Sequence, residues 1–270
     1  MKNIILAAMA SFAMAAGAAN PQTLQLWPDG NPNDNGNPEE QLAEITVYTP
    51  DEGASGMAVA ILPGGGYVVR AMDHEGHDVA KWYAENGIAA AVVRYRMPNG
   101  HPDVPESDAR QAVRMLRDKG YRLVGIMGSS AGGHLATTVS THRADSLSRP
   151  DFTVLLYPVV TSDSRYTHHG SIKNLLGKKS GDWNKLREYS NELRVDADTP
   201  PAIIFYSDDD NTVSPENGAL YYLALKNNNI KASYHVFPSG AHGWGFKESF
   251  PYLTSVKSLL LDWLSTLQKK

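Results

Sequence analysis

The chain has 270 residues, 42% hydrophobic and 20% charged, with a formal net charge of −4 and no cysteine. That is enough chain for one domain with a sizeable core. The mild acidity gives no basis for nucleic-acid or membrane-surface binding. With no thiol there is neither a disulfide nor a lipid-bearing cysteine, so stability rests on the core.

Lys2 precedes an apolar run, Ile4 to Ala16, followed by Gly17-Ala18-Ala19. A charged start, an apolar middle and a small-residue end make a secretory leader, residues 1–19, cleaved after Ala18 or Ala19. A periplasmic or secreted product is expected. The run is too short for a transmembrane span, so no membrane anchor is expected. Residues 20–270 then read as a single domain.

Residues 20 to 40 are rich in Pro, Asn, Asp and Gly. This is loop chemistry, and it suggests an ordered arm anchored by Leu26 and Trp27. Glu44 to Tyr48 alternates as a strand. Met57 to Leu62 is a more buried one that ends in Pro63-Gly64-Gly65-Gly66-Tyr67. Gly76 to Asn86 reads as an amphipathic helix with Val79, Trp82 and Tyr83 inward and Gly87 as its stop. Ile88 to Tyr95 is a continuous apolar strand. Pro98 to Pro105 reads as a loop, and Ser107 as the cap of a helix through Lys119.

Leu123 to Met127 is a short apolar strand. It runs into Gly128-Ser129-Ser130-Ala131-Gly132, and then into a helix to about Thr141. Strand, glycine turn and helix are the context of a nucleophile elbow, with Ser130 at a strained tip. Its glycines would be required where Cβ atoms collide with the adjoining strand and helix. Phe152 to Tyr157 is another strand. Residues 160–198 turn polar and read as a small cap-like excursion of short helices, carrying His168, His169, Trp183 and Tyr189. Pro201 to Tyr206 and Ala232 to Phe237 are strands around a helix at Pro215 to Asn227. Phe250 to Gln268 is a closing amphipathic helix. This alternation predicts an α/β fold: a mainly parallel sheet with helices on both faces.

In such a sheet, functional groups gather at the carboxyl ends of the strands. Those ends carry the triple glycine, Ser130, Ser207-Asp208-Asp209-Asp210 and Gly240-Ala241-His242-Gly243. A serine hydroxyl needs a base to become a nucleophile, and the base needs an acid to orient it. The order Ser, Asp, His matches α/β-hydrolases. Ser130 is preferred over Ser129 because only Ser130 has glycines at both second positions. The acid is one of Asp208, Asp209 and Asp210. His242 is the base. N–H groups of Gly65, Gly66 and Ala131 would receive the oxyanion. Tyr67 and Trp244 are candidate substrate contacts, Trp183 and Tyr189 candidates for stacking on sugars, and His134 a satisfied polar group or pocket wall. No His-x-x-x-His or His-Glu-x-x-His spacing occurs, and His74-Glu75-Gly76-His77 has no companion ligands. No metal and no cofactor is expected.

These motifs together resemble the α/β-hydrolase superfamily. More narrowly, with Val93 to His101 and Asp108 to Val113, they resemble exported carbohydrate esterases of the acetyl xylan esterase type, relatives of the hormone-sensitive-lipase-like group. The resemblance runs from about Leu26 to the end. It selects Asp210, three residues before Val213, as the acid. It implies a serine carboxylesterase acting on an acylated carbohydrate, with no nucleic-acid partner. Feruloyl esters or peptides are alternative substrates, and a catalytically silent carbohydrate-binding homologue is the non-enzyme alternative. Cleavage of a glycosidic bond needs a carboxylate pair that nothing in the sequence marks. Two departures stand out: Pro63 where lipase-type relatives carry His, and Tyr206-Ser207 where many carry His-Gly.

Overall fold

A computed structural model describes residues 21–268 apart from 52, 143 and 144. The leader read at residues 1–19 lies outside the described residues. Among the described residues, eight strands form one sheet in the order β1-β2-β4-β3-β5-β6-β7-β8. They are β1 (Gln22–Gln25), β2 (Glu44–Tyr48), β3 (Met57–Leu62), β4 (Ala89–Arg94), β5 (Leu123–Ser129), β6 (Phe152–Leu156), β7 (Ala202–Ser207) and β8 (Ala232–Phe237). From β4 to β8 all neighbours are parallel, while β1 and β2 run antiparallel at one edge. The central strands are apolar along their whole length, and β3 and β6 have every residue buried. Side chains covered on both faces of a parallel sheet require this.

The helices are α1 (Asp78–Glu85), α2 (Asp103–Asp118), α3 (Ser130–Thr141), α4 (His169–Leu176), α5 (Trp183–Glu188), α6 (Glu216–Asn227) and α7 (Leu253–Gln268). The chain moves from β3 to β4 in one direction and from β4 across β3 to β5 in the other. Right-handed crossovers then put α1 on one face and α2, α3 and α6 on the other. The reversal leaves a crevice at the carboxyl ends of β3 and β5, where ligands bind in open sheets of this kind. Among the described residues, no helix is long and apolar enough to cross a membrane.

Three local expectations change. The arm contains β1, paired with β2 through Leu24 opposite Ile45, so part of the supposed loop is an edge strand. Leu26 is fully buried, and Trp27 Nε1 donates to Asp108 at 2.7 Å, so both anchor the arm. Second, α2 starts at Asp103, and Ser107 lies inside it, donating to Val104 O at 2.7 Å. Pro105 does not prevent this, because a first-turn residue has no intrahelical acceptor for an N–H. Third, Gly76 does not begin an α-helix. Asp73 to His77 form a wide π turn, closed by His77 N donating to Met72 O, before α1 begins. The wide turn brings Glu75 and Gly76 both inside.

Residues 160–198 form the expected excursion, with α4, α5 and two short 3₁₀ turns at Gly177–Lys179 and Asn191–Arg194. It is stitched to the body by polar side chains. Asn217 Oδ1 on α6 accepts from Val160 N and Thr161 N, and Asn191 Nδ2 donates to Thr137 and Thr138 on α3.

Candidate active site

The site begins with the elbow. β5 ends at Ser129 and α3 begins at once at Ser130, whose φ is +52°. Only a rigid surround holds a non-glycine residue there, since the left-handed region crowds Cβ. Packing supplies it. A Cβ on Gly132 would collide with the carbonyls of Leu62 and Pro63, and one on Gly128 with the Gly132 carbonyl. The glycines let α3 approach β3 closely enough to force the turn. Ser129 points inside. It is 1% exposed and its Oγ has no hydrogen-bond partner among the described residues.

His242 Nε2 lies 2.9 Å from Ser130 Oγ, and His242 Nδ1 lies 2.7 Å from Asp210 Oδ2. A carboxylate accepts, so Nδ1 carries the proton and Nε2 is free to accept from the serine. Asp210 is held in turn, its Oδ1 accepting from Thr212 N and Val213 N at 2.9 Å each. Val213 is fully buried and fixes that turn. Of the other two acids, Asp209 Oδ1 accepts from Ala241 N at 2.8 Å and so braces the histidine loop, where Ala241 has φ +52°. The backbone of Asp208 donates to Phe237 O.

The triple-glycine loop, the candidate oxyanion loop, follows β3, whose Leu62 is in register with Gly128. A Cβ on Gly64 would stand 2.8 Å from that of Ser130, so loop and serine are in contact. The N–H groups of Gly65 and Gly66 donate to no group among the described residues, and Ala131 N–H is a first-turn donor of α3. Three donors without a partner among the described residues therefore lie on the loop and the helix turn that meet at Ser130. Pro63, in place of histidine, accepts from Tyr95 OH at 2.7 Å, which fixes the start of the loop.

Tyr67 and Trp244 are placed differently from the sequence expectation. Tyr67 is 3% exposed and its hydroxyl is committed to His134 Nδ1 at 3.1 Å. Trp244 is 3% exposed, stacked on Phe250 at 4.1 Å, and donates to Ser207 Oγ at 3.1 Å. Trp244 is thus a packing member behind the site, while Tyr67, almost wholly covered, still borders an adjoining cleft. Ser207, the departure from His-Gly, is what receives Trp244. Tyr189 is likewise buried, whereas Trp183 is 71% exposed.

His134 is fully buried on α3. Its Nε2 lies 2.9 Å from the Tyr189 carbonyl, which can only accept, so the proton sits there and Nδ1 accepts from Tyr67. Burial lowers its pKa to about 4. It joins the oxyanion loop to the excursion as a neutral bridge.

Glu75 is the buried residue of the candidate site that the motifs did not reveal. It is 3% exposed. Its Oε2 accepts from Gly64 N at 2.7 Å, and its Oε1 accepts from Tyr157 OH at 2.8 Å. Burial raises the Tyr157 hydroxyl well above its ordinary pKa, so it stays a donor. The same hydroxyl accepts from Gly245 N at 2.7 Å, and the Tyr157 ring meets that of His242 edge-on at 4.7 Å. One buried side chain thus ties the oxyanion loop to the histidine loop. The sequence holds a signal for it: Glu75 precedes Val79 by four positions and Trp82 by seven, which puts a carboxyl group on an apolar helical stripe.

A profile of the α/β-hydrolase fold matches residues 59–246. The chain is 37% identical over 268 residues to a protein of Xylanibacter ruminicola named acetylxylan esterase, covering 96% of this chain and 53% of that one. It is 33% identical over 223 residues to a protein of Butyrivibrio fibrisolvens named endo-1,4-beta-xylanase B, covering 75% of this chain and 34% of that one. It therefore spans about half and about a third of the length of these curated relatives. The crystal structure of an acetyl ester-xyloside bifunctional hydrolase from Caldicellulosiruptor lactoaceticus superposes with a TM-score of 0.81 at 33% identity, covering 91% of this chain and 96% of that one.

Proposed function

This chain belongs to the α/β-hydrolase family, and from that membership we propose that it is a serine carboxylesterase that deacetylates plant polysaccharide or oligosaccharide through an acyl-enzyme. The observation that carries the reading is the unbroken line from Ser130 Oγ through His242 to Asp210, at 2.9 and 2.7 Å.

In this reading His242 Nε2 takes the Ser130 proton as Oγ attacks the ester carbonyl. Asp210 holds the imidazole in the required tautomer and stabilises the imidazolium. Negative charge develops on the former carbonyl oxygen and meets the N–H groups of Gly65, Gly66 and Ala131. Losing one such donor costs about 3 kcal/mol of transition-state stabilisation. Collapse breaks the ester bond, and the leaving alcohol takes the proton from Nε2. Water then gives its proton to Nε2 and attacks the acyl carbonyl. Ser130 recovers the proton and a carboxylic acid is released.

The acetyl group and the xylan-type alcohol are supported by the names borne by the Xylanibacter and Caldicellulosiruptor proteins. Export through the leader at residues 1–19 suits a polymer that cannot cross the inner membrane. The test is a panel of acetyl, butyryl and feruloyl esters, with acetylated xylan, assayed on wild type and Ser130→Ala. The expected result is release of acetate from xylan by wild type and a loss of about 10⁴-fold or more in Ser130→Ala. Acetate release that survives the substitution overturns the mechanism, and a preference for feruloyl esters overturns the substrate. New reducing ends from deacetylated xylan would mark a glycosidase activity instead.

A further inference from the structure

A cleft of about 710 Å³ opens directly beside the oxyanion loop. Tyr67 and Val68, the residues that follow Gly65-Gly66, form one wall, and α4 with its 3₁₀ extension forms the opposite one. The two walls are clipped together by Asn174 Nδ2, which donates to Gly66 O at 2.8 Å. A molecule seated in the cleft therefore lies within a few residues' reach of the oxyanion donors, roughly 4 Å of chain per residue.

The cleft is basic in a chain that is acidic overall. Lys173, Lys178 and Lys179 line it, with His101 at its rim. The lysine ion pairs among the described residues are made by Lys81, Lys185 and Lys257, so none of these three is neutralised that way. The one acid in the lining, Glu40, is bound to Arg70 at 2.9 and 3.2 Å. Like charges converging on a concave wall focus a positive potential there. The amides in the wall add acceptors. Asn99 and Asn174 spend an N–H on Asn35 O and Gly66 O, which leaves their side-chain oxygens for hydroxyl donors.

Uncompensated ammonium groups beside free amide oxygens suit a ligand with both carboxylate and hydroxyl groups. We propose that this cleft binds the acidic, uronic-acid-type substituent of the acylated polysaccharide and so selects acidic over neutral chains. The proposal takes its sugar context from the esterase reading but does not need catalysis for its test. An acidic chain is attracted at the cleft, which places it against the neighbouring triple-glycine loop in a preferred register.

The test is calorimetric titration of the Ser130→Ala protein, which leaves its ligand intact. The ligands are a glucuronic-acid-branched xylotetraose, the unbranched xylotetraose and inorganic phosphate. The expected result is binding of the branched sugar on the order of tenfold tighter than the unbranched one at low salt. High salt should erase the difference, because exposed charges are screened. The triple substitution Lys173→Ala, Lys178→Ala, Lys179→Ala should erase it too, with an unchanged melting temperature as the control for folding. If that variant does not fold, the salt series on the Ser130→Ala protein decides alone. Equal affinities, binding of neither sugar, or a preference that survives high salt or the triple substitution overturns the proposal. Phosphate binding with the same lysine dependence and no branched-sugar preference also overturns it, in favour of a free-anion site. A wild type that fails to release acetate while this preference holds would sink the esterase reading and leave the cleft.

Discussion

Glu75 shows at the scale of one residue how a buried polar group shapes a site it does not enter. It accepts from Gly64 N–H and Tyr157 O–H, both buried. Glu75→Ala leaves both unpaired, and each orphaned group costs about 1–3 kcal/mol. The expected loss is roughly 2–6 kcal/mol of unfolding free energy, read from the denaturant midpoint. Glu75→Gln keeps the shape but turns one acceptor into a donor facing Tyr157. Its kcat on a small acetyl ester should drop on the order of tenfold with KM little changed, because small displacements of the oxyanion loop are felt at the transition state. Wild-type kcat in Glu75→Gln would remove the positioning role.

At the scale of elements, α3 does more than present Ser130. Its His134 holds the oxyanion loop through Tyr67 and the excursion through the Tyr189 carbonyl, and it does so uncharged. Its folded pKa of about 4 lies below the ordinary value near 6.5, with burial as the main cause. The unfolded chain therefore binds a proton that the folded chain refuses. The contribution to stability is complete above about pH 6.5 and is lost as pH falls toward 4, at about 1.4 kcal/mol per pH unit. Unfolding free energies from pH 7 to 4.5 for wild type and His134→Gln should show this as the difference between the two slopes. Parallel slopes would mean that His134 is not held neutral.

At the scale of the whole molecule, a buried ion pair in the body is one of the points that receive the arm before β2. Arg96 and Asp108 are both fully buried and meet at 2.7 Å. Asp108 also receives Trp27 Nε1, while Arg96 donates to Asn33 O and Oδ1, so both members reach into the arm. Removing one partner strands the other charge, which typically costs about 3–5 kcal/mol. Asp108→Ala should lower the melting temperature by about 10 °C, at roughly 2–4 °C per kcal/mol for a domain of this size. A melt unchanged by the substitution would show that this ion pair does not help to hold the fold together.

The alternation of apolar runs and helical stripes determined the fold, because strands buried on both faces and crossover helices leave their periods in the sequence. The elbow, the acid turn and the histidine loop were legible for a related reason. Each is a local motif at a strand end, and backbone sterics tie it to its own neighbours, as Ser130 at φ +52° between Gly128 and Gly132 illustrates. The start of α2 and the π turn at Asp73 to His77 were not, since prolines and glycines mark both turns and first helical turns. Tyr67 and Trp244 looked like substrate contacts by their position in the chain, and only packing turned their rings inward to His134 and Phe250. Glu75 and the lysine-lined cleft belong to tertiary structure for the same reason. Their partners lie 82 positions away at Tyr157 and 108 away between Gly66 and Asn174, and a distance that long is set by the folded sheet and not by neighbouring residues.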